Sequence, residues 1–520
     1  MPIVYRNFSI RIAAALVICA VCIGFLALGA GLAFTSHEAD MVHLAELVLR
    51  TASGETPHRD FMTPIGGWAV QPMAVLMRAG FGLGSAMIWS QIFVLAAFFP
   101  ILIWIGATRL TLRQFLVLFT LVSALVVGLV FGQTEPLISL SMHYNRWCWA
   151  GVILVAVMVF LAPKDRSSAH IDGVMIGLIM VALAMTKVTF SIALAIPVIA
   201  TLLRTSRSKT LVFSILTAAT LLIFITIFTG LSYWQSYAND LFAVMASSNR
   251  PMPSAHWTAL VMSPSGAPIT MIVAFAIWAL HKAGRRGLGT ALLLFYPAFV
   301  FIAWQNFGND PIWLAGMALV LWAISDDLPS PKAVQASALV AAAMIAPVIL
   351  NIGFSPLRHA LVPSDQTRPM LSDHPGLRMI TARGEGAWVK ITSITPPAAE
   401  QTEFQGITLP DCELTGGLIA TLERDTMALF DLVPDMDRQP LVADLFSPHW
   451  MFGQMRPLKG GTPWYYDGLP GLRDATHLMV PDCPADTGAR ARILELIQER
   501  GVTLTNVGRS PDFTLYEIAR

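Results

Sequence analysis

Apolar residues gather into eleven stretches separated by short polar loops, at about 12–34, 86–106, 114–132, 147–162, 171–186, 188–203, 210–230, 266–281, 288–304, 311–325 and 333–352. A helix rises about 1.5 Å per residue, so roughly 20 apolar residues cross a hydrocarbon core of about 30 Å. The pattern therefore predicts a polytopic α-helical membrane protein of about 11 transmembrane helices. Ile171–Leu203 is too long for one span, and Lys187 interrupts it. As one helix it would set Lys164 and Arg166 opposite Arg204, Arg207 and Lys209, against the tendency of basic loops to remain cytoplasmic. Two short helices turning at Lys187 place both loops on one side.

With that hairpin, the inner segments hold Arg6, Arg11, Arg109, Arg113, Lys164, Arg166, Arg204, Arg207, Lys209, Lys282, Arg285, Arg286 and Lys332. The outer loops hold Arg50, Arg59, Arg78, Arg146, Lys187 and Arg250, and the acidic Asp326–Asp327 pair is the inner exception. The contrast places the N-terminus in the cytoplasm. An odd number of spans then leaves everything after about 353 outside. The chain divides into a multispan region, 1–352, whose first outer loop is 35–85, and an extracytoplasmic tail, 353–520. In the first loop, Met41, Leu44, Ala45 and Val48 have the spacing of an amphipathic helix, and Trp68–Arg78 reads as a second, interfacial one. β-rich runs at Trp388–Ile394, His477–Val480 and Phe513–Ile518, with a helical Ala489–Arg500 between the latter two, predict a small α/β domain in the tail.

Composition agrees with a membrane environment. Hydrophobic residues make up 55% of the chain and charged residues 13%, and the mean hydropathy is +0.62. The first apolar run exceeds the roughly 7–15 residues of a secretory signal core, so a retained span is expected. A formal net charge of +1 gives no basic field for nucleic acid. Cys19, Cys22 and Cys148 fall in apolar spans, whereas Cys412 and Cys483 lie in the polar tail and can pair if it is extracytoplasmic. No zinc-type CxxC pair, P-loop or dinucleotide fingerprint is present.

The candidate chemistry begins with acids just after the first span, Glu38-Ala-Asp40, followed by an amphipathic helix, Gly54-Glu-Thr-Pro-His58-Arg59-Asp60-Phe61 and Pro64. This order resembles the first outer loop of the bacterial GT-C membrane glycosyltransferases, which include protein mannosyltransferases and the aminoarabinose and lipopolysaccharide-core sugar transferases. Met142-His143-Tyr144-Asn145-Arg146-Trp147, Thr186-Lys187 and the tail extend the likeness. The resemblance implies a GT-C-like fold in a bacterial inner membrane and a polyprenyl-phosphate sugar donor. It also implies a glycan or lipid acceptor and an early acid as catalytic base. The family pair is often Asp-Glu, whereas the order here is Glu38-Ala-Asp40.

Inverting sugar transfer needs a carboxylate to take the acceptor hydroxyl proton. Asp40 is the first candidate, the alternative being a first-turn acid favoured by the helix dipole. Glu38 is the second, because Thr35-x-x-Glu38 also fits a capping box. Lys187 is a candidate for the departing phosphate; a lysine at a helix centre costs about 2.5–3.5 kcal/mol, which favours a partner over simple snorkelling. Arg250 and, more weakly, Arg146 join it as phosphate ligands or as ordinary arginines near headgroups. His143, Asn145 and Arg146 form a polar cluster for sugar hydroxyls, with Asn145 alternatively a helix cap. Asp60, beside His58 and Arg59, either positions an acceptor or a metal or is a turn aspartate paired with Arg59. A divalent metal held by His37, His43 and His58 with the carboxylates is possible chemically, but no spacing specifies one. The Gln305–Asp310 loop reads as turn chemistry, and the aromatics around Trp450 and Trp464 as core. Two readings from other classes stand beside the transferase: a transporter or flippase, and a noncatalytic envelope assembly protein.

Overall fold

The computed structural model describes residues 3–29, 31–132, 134–164, 168–247, 256–306, 309–380, 391–392, 402–414 and 416–519. The chain is mainly helical, because apolar backbone in lipid must satisfy its own hydrogen bonds. Among the described residues six helices are long and apolar enough to cross a membrane: Phe8–Ala27, Leu83–Arg109, Ala169–Arg204, Ser208–Thr229, Arg286–Gln305 and Lys332–Ala360. Shorter apolar helices run Leu112–Val127, Gly266–Lys282 and Trp313–Ser325, and His143–Phe160 is buried along almost its whole length.

Two compact units emerge, each assembled from separated segments. The first comprises Met1–Ala30, Met87–Phe228 and Met252–Val362. Its longest helix, Ala169–Arg204, loses helical dihedrals at one residue, Lys187 (φ −154°, ψ 103°). Ser191 Oγ donates to Met180 O at 3.1 Å. Eleven residues of straight helix would separate these groups by about 16 Å, so the chain doubles back at the lysine. The Gly173–Gly177 face of this helix meets Ser208–Thr229 at close range: a Cβ on Gly173 would lie 2.6 Å from Thr210 O, and one on Gly177 2.6 Å from Ser214 O. Small residues four apart are how membrane helices bring their backbones together. Leu112–Val127 starts from a true capping box, Thr111 with Gln114.

The second unit comprises Gly31–Ala86, Thr229–Pro251 and Pro363–Arg520. Here the expected first span is corrected at its end. The helix stops at Ala27, and Leu32–Phe34 is a strand paired in parallel with Leu377–Met379. Apolar character alone does not separate a buried strand from the tail of a span. Gly31 and Gly84 both press on the carbonyl of Gly376, where a Cβ could not fit. Leu441–Val442, His477–Pro481, Phe513–Ile518 and Leu504–Arg509 form a four-stranded sheet in the spatial order fourth, third, second and first from its Leu504 edge. Helix Thr487–Glu499 covers one side through Ile493, Leu494 and Ile497, and Leu429 of helix Leu418–Leu432 joins a second cluster with Met479, Phe513 and Leu515. The strands His477–Pro481 and Phe513–Ile518 and the helix Thr487–Glu499 lie close to the runs read from the sequence, whereas Leu441–Val442 and Leu504–Arg509 were not read there. Of the run Trp388–Ile394, only Ile391–Thr392 is described, as a short strand. Cys412 and Cys483 are joined as a disulfide.

Candidate functional site

In the helical unit the polar cluster forms at the start of His143–Phe160. Met142 caps this helix in the left-handed region (φ 50°) without a side-chain cap bond, so Asn145 sits inside the first turn rather than at the cap. Asn145 Oδ1 instead accepts from Lys187 Nζ at 3.3 Å, Asn306 Oδ1 accepts from the same ammonium, and the ring of Tyr144 lies 5.1 Å from it. Asn306 is fixed in turn by donating Nδ2 to Ile302 O at 2.7 Å. Two carboxamide oxygens thus accept from the ammonium. The Gln305–Asp310 segment, read from sequence as turn chemistry, thus supplies a residue of the lysine's surroundings.

Arg146 departs furthest from expectation. It is fully buried, with 0% exposure, not an ordinary arginine near the headgroups. Its Nη1 donates to Leu125 O at 2.6 Å, while Nε and Nη2 are buried with no hydrogen-bond partner. Two glycines make the space: the helix Leu112–Val127 ends at Gly128, where a Cβ would lie 3.1 Å from Nη1, and Gly132 faces the aliphatic stem. A buried guanidinium with two open donors is costly. His143 packs its ring edge-on against Trp147, centroids 4.6 Å apart, and the Trp147 indole donates to Gln91 at 2.9 Å.

The early acids belong to the second unit, on helix Glu38–Ala52. Its N-cap is His37 in the left-handed region (φ 59°), with no side-chain cap bond, so the expected Thr35–Glu38 capping box does not form. Glu38 caps a different helix: its carboxylate accepts the Ile419 N–H at 2.8 Å, at the start of Leu418–Leu432. Burial raises the Glu38 pKa, opposed by the N–H groups of residues 417–419 and by Arg368. Asp40 lies half-buried in the first turn.

Further along that helix, sequence reading passed over a buried acid. Glu46 is fully buried and its pKa is pushed up to about 7 by desolvation, against the pull of Arg50 and Trp450. Trp450 Nε1 donates to Glu46 Oε1 at 3.1 Å, leaving Oε2 without a partner. Arg50 lies 3.5 Å from Glu46, bonds Glu55 at 2.6 Å, donates to Leu458 O at 3.1 Å and covers the Phe61 ring. His43, whose pKa burial lowers to about 4, meets the edge of Trp464, which itself packs on Phe446. The tail aromatics are therefore core, as their composition suggested.

His58 adopts a left-handed backbone (φ 71°) and sets Nδ1 2.9 Å from Asp240 Oδ2. Its ring stacks on Tyr237 at 4.1 Å and meets the edge of Tyr233. Nε2 is buried with no partner. Asp60, by contrast, is a turn aspartate that accepts the Thr56 N–H at 2.7 Å, and Arg59 is exposed. Arg250 lies outside the described residues. Among the described residues no group of three His, Cys, Asp or Glu side chains is placed to hold a metal ion. The imidazoles of His43 and His58 are engaged by aromatic rings and, for His58, by Asp240.

No protein-family description matches the sequence, and no curated protein matches it. Among solved structures the chain is similar to ArnT from Cupriavidus metallidurans bound to undecaprenyl phosphate, over 98% of this chain and 97% of that one, at 11% sequence identity and a TM-score of 0.39.

Proposed function

We propose that this chain is an integral-membrane glycosyltransferase of GT-C type. It moves a sugar from a polyprenyl-phosphate donor to an extracytoplasmic glycan or lipid acceptor. The observation that carries the reading is Arg146: a buried guanidinium with two open donors, next in sequence to the asparagine that holds Lys187. These two cations would bind the donor phosphate and stabilise the charge that grows on it as the sugar leaves. Eleven spans, an internal N-terminus and an external tail in a bacterial inner membrane complete the arrangement. An apolar groove of about 830 Å³ between Leu112–Val127, Trp313–Ser325 and Lys332–Ala360 has the character needed for a prenyl chain.

In the transfer step the acceptor oxygen bonds to the anomeric carbon as the bond from that carbon to the phosphate oxygen breaks. The acceptor proton passes to a carboxylate, and polyprenyl phosphate departs as the anion. Asp40 is the base in this proposal. Glu38, the other early acid, accepts the Ile419 N–H at a helix start. The test is incubation of purified protein with a panel of polyprenyl-phosphate sugars and acceptor glycolipids, scoring released lipid phosphate. Asp40→Asn should insert normally and release none. Wild-type protein that moves the intact lipid across vesicles without releasing phosphate would replace this reading with a flippase.

A further inference from the structure

The helical unit holds a second cationic site, at the ends of the helices that carry the basic loops. A cavity of about 470 Å³ is lined there by Arg109, Lys164, Arg207, Arg285 and Arg286, with Asp327 the one acid among the described residues of its wall. We propose that this cavity binds a phosphate ester, in the form of an anionic phospholipid headgroup. The proposal is independent of the sugar-transfer reading.

Clustered arginines are common at the inner ends of spans, where they satisfy helix carbonyls. Part of this cluster does that. Arg109 donates to Leu161 O at 3.1 Å, Arg207 donates to Met158 O at 2.8 Å, and the two share Asp172. Lys164 reaches Asp327 at 3.3 Å. Among the described residues five cations line the cavity and their ion pairs reach two carboxylates, Asp172 and Asp327.

The backbone is built to put them there. Helix Gly266–Lys282 ends in a Schellman motif: Gly284 is left-handed (φ 77°), its N–H bonds His281 O at 3.1 Å, and the Arg285 N–H bonds Leu280 O at 2.8 Å. Helix Ala169–Arg204 ends the same way, with Ser206 left-handed (φ 57°), its N–H on Leu203 O at 3.1 Å and the Arg207 N–H on Leu202 O at 2.8 Å. Each motif delivers an arginine, at the same position past its helix, to the same cavity. The third loop is pinned by Lys164 N–H on Thr108 O at 2.7 Å. Val159, Phe160, Leu161 and Ile324 form apolar wall, so the site pairs cations with a surface for glycerol and the first acyl carbons. That combination fits a lipid headgroup better than a free anion.

The full chain in phosphatidylcholine nanodiscs would be titrated with phosphatidylglycerol and, separately, with inorganic phosphate. Bound lipid is counted by native mass spectrometry, and protection by thermal unfolding. Retained phosphatidylglycerol should fall at least about tenfold in a Lys164→Gln, Arg285→Gln, Arg286→Gln variant, whose altered side chains are exposed, because each removes one basic group near the anionic headgroup. A control carrying Lys209→Gln, Lys282→Gln and Lys332→Gln removes equal charge outside the cavity and should retain the lipid. Protection by inorganic phosphate alone, lost in the first variant, would keep the phosphate site and make its ligand soluble. Retention no better than phosphatidylcholine, or equal loss in both variants, would overturn the site.

Discussion

His58 and Asp240, 182 positions apart, meet at 2.9 Å between Nδ1 and Oδ2. The carboxylate also accepts the Thr63 N–H at 3.2 Å, so one aspartate orients an imidazole and fixes the loop that follows it. Replacing it by alanine leaves a buried ring nitrogen and a backbone donor unsatisfied, which should destabilise the protein by about 2–3 kcal/mol. Thermal unfolding of Asp240→Ala beside Asp240→Asn checks this, since asparagine keeps an acceptor and should lose less.

Arg146 predicts opposite effects on stability and on binding. Arg146→Met removes a buried charge whose Nε and Nη2 lack partners and so relieves the cost of burying them, against the loss of one hydrogen bond to Leu125 O. The ligand-free variant should therefore melt no lower than wild type, yet lose protection by polyprenyl phosphate. A variant that melts lower and still binds would show that the guanidinium serves packing alone.

Glu46 sets a pH dependence with a definite sign. Its folded pKa, about 7, stands above the ordinary value of 4.5. Between those values the folded state holds a proton that the unfolded chain has released, so stability falls as pH rises through that window and levels above it. The loss amounts to up to about 3 kcal/mol at 1.36 kcal/mol per unit. Glu46→Gln keeps an acceptor for Trp450 and removes the titration. Denaturation series at pH 5 and pH 8 should differ less for the variant than for wild type, and equal slopes would refute the assignment.

The Cys412–Cys483 disulfide closes a sequence separation of 71. Chain entropy assigns such a loop roughly 4 kcal/mol. Peptide mapping without reductant should recover the linked pair from protein isolated from membranes, and Cys412→Ser should lower the unfolding midpoint of the tail. Free thiols in freshly isolated protein would argue against an oxidising compartment for that segment.

How much of this was written in the chain itself differs by feature. The six long apolar helices among the described residues were legible because a long apolar run in lipid has few ways to satisfy its backbone. The break at Lys187 was legible too, since a charge in such a run is costly enough to mark a turn. Strand alternation and the helix Thr487–Glu499 in the tail left their periods in the residue order. The end of the first span did not: Leu32–Phe34 is as apolar as the helix before it, and only its partner strand, more than 340 residues away, makes it a strand.

The site divides along the same line. Sequence order singled out Glu38, Asp40, His58, Asn145, Arg146 and Lys187 by residue type and by their place beside spans. Tertiary structure alone decided that Glu38 closes a helix beginning at Leu418, that Arg146 is sealed from solvent with donors to spare, and that Asn306 and Asp240 complete the lysine and histidine contacts. Local periodicity records how a segment shares its own hydrogen bonds and buries its own face. A contact between distant segments leaves no period, so desolvation and partner choice, which set what a charged side chain can do, come into being only when the chain is packed.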